Sequence, residues 1–363
     1  MHHNRKAFII AGEESGDIYA GEIARNLKKF HTNIKLFGIG GHNLEKENVI
    51  LIEHIKNLSF LGLVEVLKHI PDVLKILKKV KNFLIKEKPD FIILIDFPDF
   101  NFKVAKFAKS IGIKVYYFIS PQVWAWRRGR VKFIKKFIDK MFVIFPFEKD
   151  FYSQFNINVE FVGHPLAMKI RKYLDENPSK KSEKLTIGLL PGSRNKEVET
   201  LFPEMINAVK KIKNIDILIG IAKNVNIDLI KKFITDTENI EFIHANTYHL
   251  AAKSDIIISS SGTATLESAM FGKPVIIIYK VNLISYILGR ILIKVPFIGM
   301  PNILLGEMNN PELIQFKCNS NEIYIETMKL IKNRAKRGKI SEKNRTLINE
   351  LYRENIFDFL KSL

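Results

Sequence analysis

Apolar and polar positions alternate along the chain with two different periods. Short apolar runs rich in β-branched and aromatic residues have the length of buried strands, and the longer Lys- and Glu-rich amphipathic stretches between them are typical of helices. The predicted strands cover residues 7–11, 34–39, 91–95, 114–119, 141–145 and 159–162, and then 185–190, 215–219, 240–243, 255–258 and 275–279. Strands that alternate with helices predict βαβ units and hence parallel sheets.

A polar stretch, RKYLDENPSKKSEK, interrupts this alternation at residues 171–184. It contains a proline and no apolar periodicity, which is typical of a linker. We therefore predict an α/β protein of two Rossmann-like domains facing each other across a cleft, covering residues 1–168 and 185–363, with a linker at 169–184. A helix at about 342–361 ends the chain, and the sequence leaves open whether it packs on the first domain or on a partner.

Composition restricts the class of protein further. A chain of 363 residues with 47% hydrophobic content can form two cores. The net charge of +19 suits a phosphorylated substrate, anionic lipid or nucleic acid, although the lysines responsible occur throughout the chain. One cysteine, Cys318, excludes an intrachain disulfide and indicates a reducing compartment. Residues 7–11 are too short for a signal peptide, and apolar runs such as 274–279 fall far below the about 20 residues of a membrane span. We expect a cytoplasmic protein, soluble or peripheral.

Ligands in parallel α/β sheets bind beyond the carboxyl ends of the strands, so the residues that follow each strand are candidates for chemistry. The first strand leads into AGEESGD (11–17), where the adjacent carboxylates Glu13 and Glu14 favour a hydroxyl group over a phosphate. The motif lacks the glycine spacing of dinucleotide and P-loop sites. An ordinary turn before a helix, capped by Ser15 or Asp17, is the alternative.

The third predicted strand leads into DFPDFN (96–101). Asp96 stands where a buried strand ends, and partial desolvation there can raise the pKa of a carboxylate and make it a usable general base. Asp99 has a plainer role available, as cap of a helix beginning near Phe102, so Asp96 is preferred. The sequence has no D-x-D pair and no His/Asp cluster with metal-ligand spacing, and we predict no metal.

Both tryptophans of the chain lie in SPQVWAWRRGR (120–130), beside three arginines. Either the tryptophans are buried in the core and the arginines are solvated, or the segment forms an amphipathic rim that binds an anionic headgroup. Burial of at least one tryptophan is the safer prediction.

Two loops in the second half suit a diphosphate. PGSR (191–194) offers a tight turn at Gly192 and Ser193, followed by the guanidinium of Arg194 at a helix start. The second loop, SSSGTATLESAMFGKP (259–274), offers N–H groups and hydroxyls at a helix start, and Glu267 one turn inside could accept the hydroxyls of a ribose. The residues predicted to meet the diphosphate in this loop are Ser261, Gly262, Thr263 and Ala264.

Eight motifs occur in an order that resembles the lipid-A-disaccharide synthases, over about residues 7–315: AGEESGD, DFPDFN, SPQVWAWR, PFEKDFY, FVGHP, LLPGSR, SGTATLE and PNILLG. Two positions depart from the family pattern: Glu14 and Phe97 both stand where the family usually has alanine. The resemblance implies the GT-B fold and site residues at Glu13, Asp96, Arg194, Glu267, Asn302 and Gln315.

The resemblance also implies an activity. An inverting glycosyltransferase would join UDP-2,3-diacylglucosamine to 2,3-diacylglucosamine 1-phosphate through a β(1→6) bond and release UDP, with the UDP-sugar as co-substrate and no separate cofactor or metal. It would work on the inner face of a Gram-negative cytoplasmic membrane, and a homodimer is left open. A UDP-sugar epimerase could share the two-domain layout but would need no acceptor. A nucleic-acid binder would need clustered Lys and Arg with exposed aromatics, which only residues 124–136 resemble.

The pattern of the lysine-rich stretch at 58–88 predicts, for most of its length, a helix packed on the sheet. At its start, however, Leu61, Leu63, Val64, Val66 and Leu67 are more than one face can bury. Our hypothesis is that residues 61–67 dip into the bilayer while nearby lysines meet anionic lipid.

The variant L63S/V64S/L67S tests this hypothesis. We expect the protein to move from the membrane fraction to the soluble fraction while staying folded, because serine removes the apolar surface that enters the bilayer. Fractionation with a circular dichroism control measures both effects, and an unchanged distribution would rule out the hypothesis.

Overall fold

The computed structural model describes residues 5–58, 70–178, 184–234 and 238–363. The chain forms two compact units. The first unit contains Met1–Gly163 together with Arg353–Leu363, and the second contains His164–Tyr352. Residues 61–67, the predicted bilayer segment, lie outside the described residues. No helix in the described part of the chain is long and apolar enough to cross a bilayer.

The first unit is built on a seven-stranded parallel sheet in the order β3-β2-β1-β4-β5-β6-β7. Its strands are β1 (Lys6–Ala11), β2 (Lys35–Gly40), β3 (Ile50–His54), β4 (Phe91–Ile95), β5 (Lys114–Phe118), β6 (Lys140–Val143) and β7 (Val159–Phe161). Its helices are α1 (Glu14–Phe30), α2 (His42–Lys46), α3 (Ile70–Glu87), α4 (Pro98–Ser110), α5 (Val131–Phe137) and α6 (Phe147–Ser153). The central strand β4 is buried at every position, because helices cover both faces of a parallel sheet.

The second unit contains a six-stranded parallel sheet in the order β10-β9-β8-β11-β12-β13. Its strands are β8 (Leu185–Leu190), β9 (Ile215–Ile221), β10 (Ile240–His244), β11 (Ile256–Ser260), β12 (Val275–Tyr279) and β13 (Glu312–Ile314). Its helices are α7 (Pro165–Glu176), α8 (Asn195–Val209), α9 (Asp228–Lys231), α10 (Thr247–Lys253), α11 (Thr263–Met270), α12 (Leu283–Leu292), α13 (Met300–Leu305), α14 (Ser320–Lys332) and α15 (Arg334–Leu351). In both sheets the order reverses beside the first strand, as in Rossmann-like folds.

Every predicted strand is present, with ends shifted by at most two residues. The sequence pattern did not predict β3 and β13, which lie at the edges of the two sheets. Edge strands are covered on fewer sides, and here β3 is only partly buried while β13 has three residues. Neither therefore carries the long apolar run that marks a central strand.

The first half of the predicted linker is helical instead. Helix α7 begins at Pro165, and the His164 side chain accepts a hydrogen bond from the backbone N–H of Leu166 at its first turn. The buried positions of α7, which include Ala167 and Ile170, lie mostly before the stretch read as polar. The polar stretch therefore gave no sign of a helix, because the buried apolar residues of α7 lie in its N-terminal turns.

The C-terminal segment packs on the first unit, which the sequence had left open as one of two alternatives. Helix α15 stops at Leu351 rather than continuing to about 361, and the last eleven residues belong to the first unit. There the ring of Phe359 stacks on Phe142 with centroids 3.8 Å apart and on Phe118 at 5.7 Å. The Nε2 atom of His31 hydrogen-bonds the carbonyl oxygen of Leu360 at 3.0 Å. The C-terminal segment thus completes the core of the first unit.

Replacing Phe359 with alanine should lower the free energy of unfolding by about 3–5 kcal/mol, because it leaves a cavity among buried aromatic rings. Urea denaturation followed by circular dichroism measures the loss. The matched control is Phe316→Ala, which removes an equal ring that is 76% exposed and should change little. Equal losses in both variants would contradict the structural role of the segment.

Candidate active site

Asp96 and Phe97 follow β4 in a strained turn, with left-handed φ angles of 44° and 48°. Three hydrogen bonds stabilise this turn. The side-chain amide of Asn101 donates to the carbonyl oxygens of Asp96 (2.7 Å) and Ile95 (3.3 Å), and the hydroxyl of Tyr117 also donates to the Asp96 carbonyl. Such strain persists only where surrounding contacts impose it, and it fixes the direction of the Asp96 side chain.

Glu13 stands beside Asp96 because the strands that precede them, β1 and β4, are neighbours in the sheet. Asp96 is exposed at the carboxyl end of the central strand β4, yet the protein atoms around its carboxyl group displace enough water to destabilise its charge. This desolvation, followed by the charge of Glu13, raises the pKa of Asp96 to about 6. A raised pKa in a carboxylate at a strand end is what general-base chemistry near neutral pH requires.

Gly12 lies directly against the ring of Phe97. A Cβ atom at Gly12 would lie 2.2 Å from the Phe97 ring. The backbone of the β1–α1 turn therefore lies against that ring. Any larger residue at position 12 would displace the ring or the turn that carries Glu13.

Asp99 does not cap a helix near Phe102, as the sequence suggested, because α4 already begins at Pro98. Asp99 lies in the first turn of α4, 77% exposed, and forms ion pairs with Arg130 and with Arg127 (3.5 Å). Its carboxylate is thus engaged with two guanidinium groups of the basic segment. The contacts favour Asp96 over Asp99 as the base.

The two tryptophans of that segment divide between core and surface. Trp124 is buried, as predicted for at least one of them, and packs edge-on against Phe147. Trp126 is 38% exposed, and the Arg127 guanidinium lies 4.1 Å from its ring centroid. The core alternative therefore holds for Trp124, while Trp126 and Arg127 lie together at the surface.

Asp17 has a structural role that the sequence did not reveal. Helix α1 has no side-chain cap, so neither Ser15 nor Asp17 caps it. Instead, the buried Asp17 carboxylate accepts bonds from the backbone N–H groups of Gly41 (2.6 Å) and Asn43 (2.9 Å) and from the Asn43 side chain. It ties α1 to the loop after β2.

In the second unit, the carboxyl ends of the central strands surround a pocket of about 280 Å³. Both loops predicted to hold a diphosphate contribute to its wall. The lining includes Gly192 and Ser193 after β8, Asn246 and Thr247 after β10, and Ser261, Gly262, Thr263 and Ala264 after β11. The structure therefore brings together two segments about 70 positions apart in the sequence.

The start of α11 is the part of the pocket best suited to an anion. The cap residue Gly262 provides no side-chain hydrogen bond, and a Cβ atom there would meet nothing within 4 Å. The N–H groups of a first helical turn lack partners inside the helix and carry partial positive charge. Thr263 and Ala264, which line the pocket, belong to this turn.

The β8–α8 turn is already occupied by a carboxylate. Oε2 of Glu197 accepts a hydrogen bond from the Ser193 N–H at 3.0 Å, and a Cβ atom at Gly192 would lie 2.2 Å from it. Glu197 was missed from the sequence because it lies within α8, beyond the turn. A phosphate at the Ser193 amide would be repelled unless Glu197 moves, so the main anion contact falls to α11.

Arg194 and Glu267 flank the pocket without lining it. Arg194 is the cap residue of α8 and is exposed. Glu267 is partly buried one turn inside α11, and desolvation raises its pKa to about 7 against the opposing effect of Lys169 on α7. The structure therefore does not place the Arg194 guanidinium or the Glu267 carboxylate in the wall of the pocket, and their roles toward a diphosphate and a ribose stay predictions.

Asn302 and Gln315 are bonded within the protein. Asn302 lies in α13 rather than in an irregular stretch, is fully buried, and donates to the carbonyl oxygen of Asn310 (2.7 Å) and to Glu312 (2.9 Å). The Gln315 side chain accepts from the N–H of Val281 (3.2 Å) and donates to its carbonyl (2.8 Å). Direct contact with a ligand would require these bonds to open.

Among the residues that the structure describes, no three His, Cys, Asp or Glu side chains are grouped to hold a metal ion.

Gly192→Ala should weaken binding of UDP to the pocket by at least about tenfold. Its φ of +129° disfavours a side chain, so alanine would distort the turn that forms one wall of the pocket. Isothermal titration with UDP measures the affinity. Gly338→Ala in α15 is the matched control, because the residue does not line the pocket and a methyl group there would meet nothing within 4 Å. Similar affinities for both variants would contradict the importance of the β8–α8 turn.

Comparison with known proteins identifies the family of the chain. Residues 7–359 match the family model described as lipid-A-disaccharide synthetase. The lipid-A-disaccharide synthase 1 of Legionella pneumophila (strain Paris) is 38% identical over 334 residues, covering 89% of this chain and 87% of the relative.

Solved structures support the fold. The UDP-GlcNAc 2-epimerase of Neisseria meningitidis, bound to UDP-GlcNAc, has a TM-score of 0.67 at 15% identity and covers 98% of both chains. MurG of Acinetobacter baumannii has a TM-score of 0.63 at 13% identity, with 99% of this chain and 98% of MurG covered. The fold is that of the GT-B glycosyltransferases, and the match along almost the whole sequence shows that this chain belongs to the lipid-A-disaccharide synthase family.

Proposed function

We propose that the protein transfers a diacylglucosaminyl group from UDP-2,3-diacylglucosamine to the 6-hydroxyl of 2,3-diacylglucosamine 1-phosphate, with inversion at the anomeric carbon. The observation that carries the proposal is Asp96, a carboxylate with a raised pKa held in a strained turn beside Glu13. Family membership supplies the reaction class, and the pocket at α11 supplies a site for the nucleotide.

In the proposed reaction, Asp96 accepts the proton of the acceptor 6-hydroxyl as its oxygen attacks the anomeric carbon of the donor. The new C–O bond forms while the bond from that carbon to the diphosphate breaks, and UDP leaves with the bonding electrons. A single displacement of this kind inverts the anomeric configuration. Since the pKa of Asp96 is about 6, most molecules carry the ionised carboxylate at pH 7. This carboxylate is also a stronger base than an aspartate with the ordinary pKa.

The leaving diphosphate gains negative charge as the bond breaks. The first-turn N–H groups of α11 at Thr263 and Ala264 stabilise this charge without reorganisation. Arg194 adds its guanidinium from the start of α8. Glu267, whose pKa of about 7 keeps both protonation states available, holds the ribose hydroxyls. The acyl chains of both substrates place the reaction at a membrane surface, which we propose to be the inner face of the cytoplasmic membrane.

Incubation of the pure protein with UDP-2,3-diacylglucosamine tests the proposal. Disaccharide 1-phosphate and UDP should form only when 2,3-diacylglucosamine 1-phosphate is added. Conversion of the UDP-sugar without acceptor would instead indicate an epimerase.

Asp96→Asn should lower kcat by about 10²–10⁴-fold and leave the affinity for UDP unchanged, because the amide cannot accept the proton. In the wild type, kcat/KM should be constant well above pH 6 and fall about tenfold per pH unit below it. The reason is that protonation of Asp96, whose pKa is raised to about 6, removes the base. Steady-state kinetics across pH measures both effects.

Asp99→Asn is the matched control, since it changes a neighbouring exposed carboxylate to the same amide. We expect it to retain most of the turnover. Near-normal turnover by Asp96→Asn would assign the base to Glu13 or Asp99.

A further inference from the structure

Helix α12 presents aliphatic side chains to solvent on a scale that no other described helix matches. None of its ten residues is buried. Seven aliphatic side chains at 283–293 are each 46–73% exposed: Leu283, Ile284, Ile287, Leu288, Ile291, Leu292 and Ile293. Nearby, Phe316 is 76% exposed and contacts Tyr286 edge-on. Apolar patches of this kind normally mark an interaction surface.

The segment that carries α12 is anchored at both ends. Before the helix, the Gln315 side chain pairs with both backbone groups of Val281. After it, the Glu312 carboxylate accepts bonds from the N–H groups of Ile298 and Gly299, at 2.9 Å each. Asn302 in turn donates to Glu312. The two buried amides that the sequence singled out thus position residues 282–297, and α12 projects from two fixed points.

The charge around α12 indicates what covers it. No acidic residue occurs from Ser268 to Gly306, whereas Lys280, Arg290 and Lys294 flank or interrupt the apolar positions. Lys280 is paired with Glu204 at 3.3 Å, which leaves Arg290 and Lys294 as the cations among the apolar positions. An apolar helix that carries cations and no carboxylate is complementary to an anionic lipid bilayer, where the side chains enter the acyl region and the cations meet headgroups. A second copy of the same helix would bring like charges together across a twofold axis.

The length of α12 fits this position. Ten residues extend about 15 Å, half the thickness of a bilayer core, so the helix can lie in the interface but cannot span it. Ile284, Ile287, Leu288 and Ile291 have the i, i+3, i+4, i+7 spacing of one helical face.

We propose that α12 is a bilayer-contacting surface of the second unit, which inserts its aliphatic face into anionic phospholipid. The proposal adds a membrane contact to the second unit, separate from residues 61–67 of the first. It concerns binding alone and holds whatever reaction the protein catalyses.

Flotation of the full-length protein with lipid vesicles tests this proposal without substrate or turnover. The vesicles contain equal parts of phosphatidylcholine and phosphatidylglycerol, or phosphatidylcholine alone. The variant I284S/L288S/I291S should lower partition into the anionic vesicles by at least about tenfold. The matched control I50S/I85S/I111S replaces three isoleucines that are 40–53% exposed in the first unit, and should change partition by less than about twofold.

A second variant, R290E/K294E, separates charge from apolar insertion and leaves the aliphatic face intact. It should reduce binding to the anionic vesicles several-fold and leave binding to phosphatidylcholine unchanged. Thermal unfolding checks that each variant is folded.

Unchanged partition of both α12 variants would overturn the proposal, and so would a loss confined to L63S/V64S/L67S. Light scattering tests the alternative that a second copy of the chain covers α12. If I284S/L288S/I291S converts a dimer to a monomer while vesicle binding persists, α12 covers a second copy of the chain and the proposal is wrong.

Discussion

The hydrogen bonds on the carbonyl oxygen of Asp96 are the constraint on which the proposed chemistry depends. The side chains of Asn101 and Tyr117 bond this oxygen, and two consecutive residues thereby remain in left-handed conformations that would otherwise relax. The carboxyl group is consequently held at the carboxyl end of β4, beside Glu13. Its raised pKa results from this position, since desolvation and a neighbouring negative charge both disfavour ionisation.

The second unit meets the opposite electrostatic requirement. A leaving diphosphate needs positive potential, which the start of α11 supplies through backbone N–H groups. The carboxylate of Glu197 at the neighbouring turn limits where a phosphate can sit, because two anions at one amide repel each other. The proposed diphosphate contact therefore falls to the start of α11 rather than to the β8–α8 turn.

Buried amide side chains connect the site region to the surface. Asn302 and Gln315 act on backbone groups and on Glu312, and the segment they hold is the one that exposes α12. A residue can thus matter to a lipid-processing protein without touching a substrate, by fixing the element that meets the lipid. The ion pairs of Asp99 with Arg127 and Arg130 show a related effect, since they engage a carboxylate that could otherwise compete with Asp96.

The sequence by itself determined the central strands, the two-unit α/β fold, the strand-end position of Asp96 and the loops at Gly192 and Gly262. Each of these depends on local periodicity or on residues next to a strand end. Only the tertiary structure decided which polar side chains are free to meet a ligand. Asn302 is enclosed by the strand and helix around it, Glu197 folds back over its own turn, and the C-terminal segment completes the core of the first unit. These outcomes depend on contacts between distant parts of the chain, which no local pattern encodes.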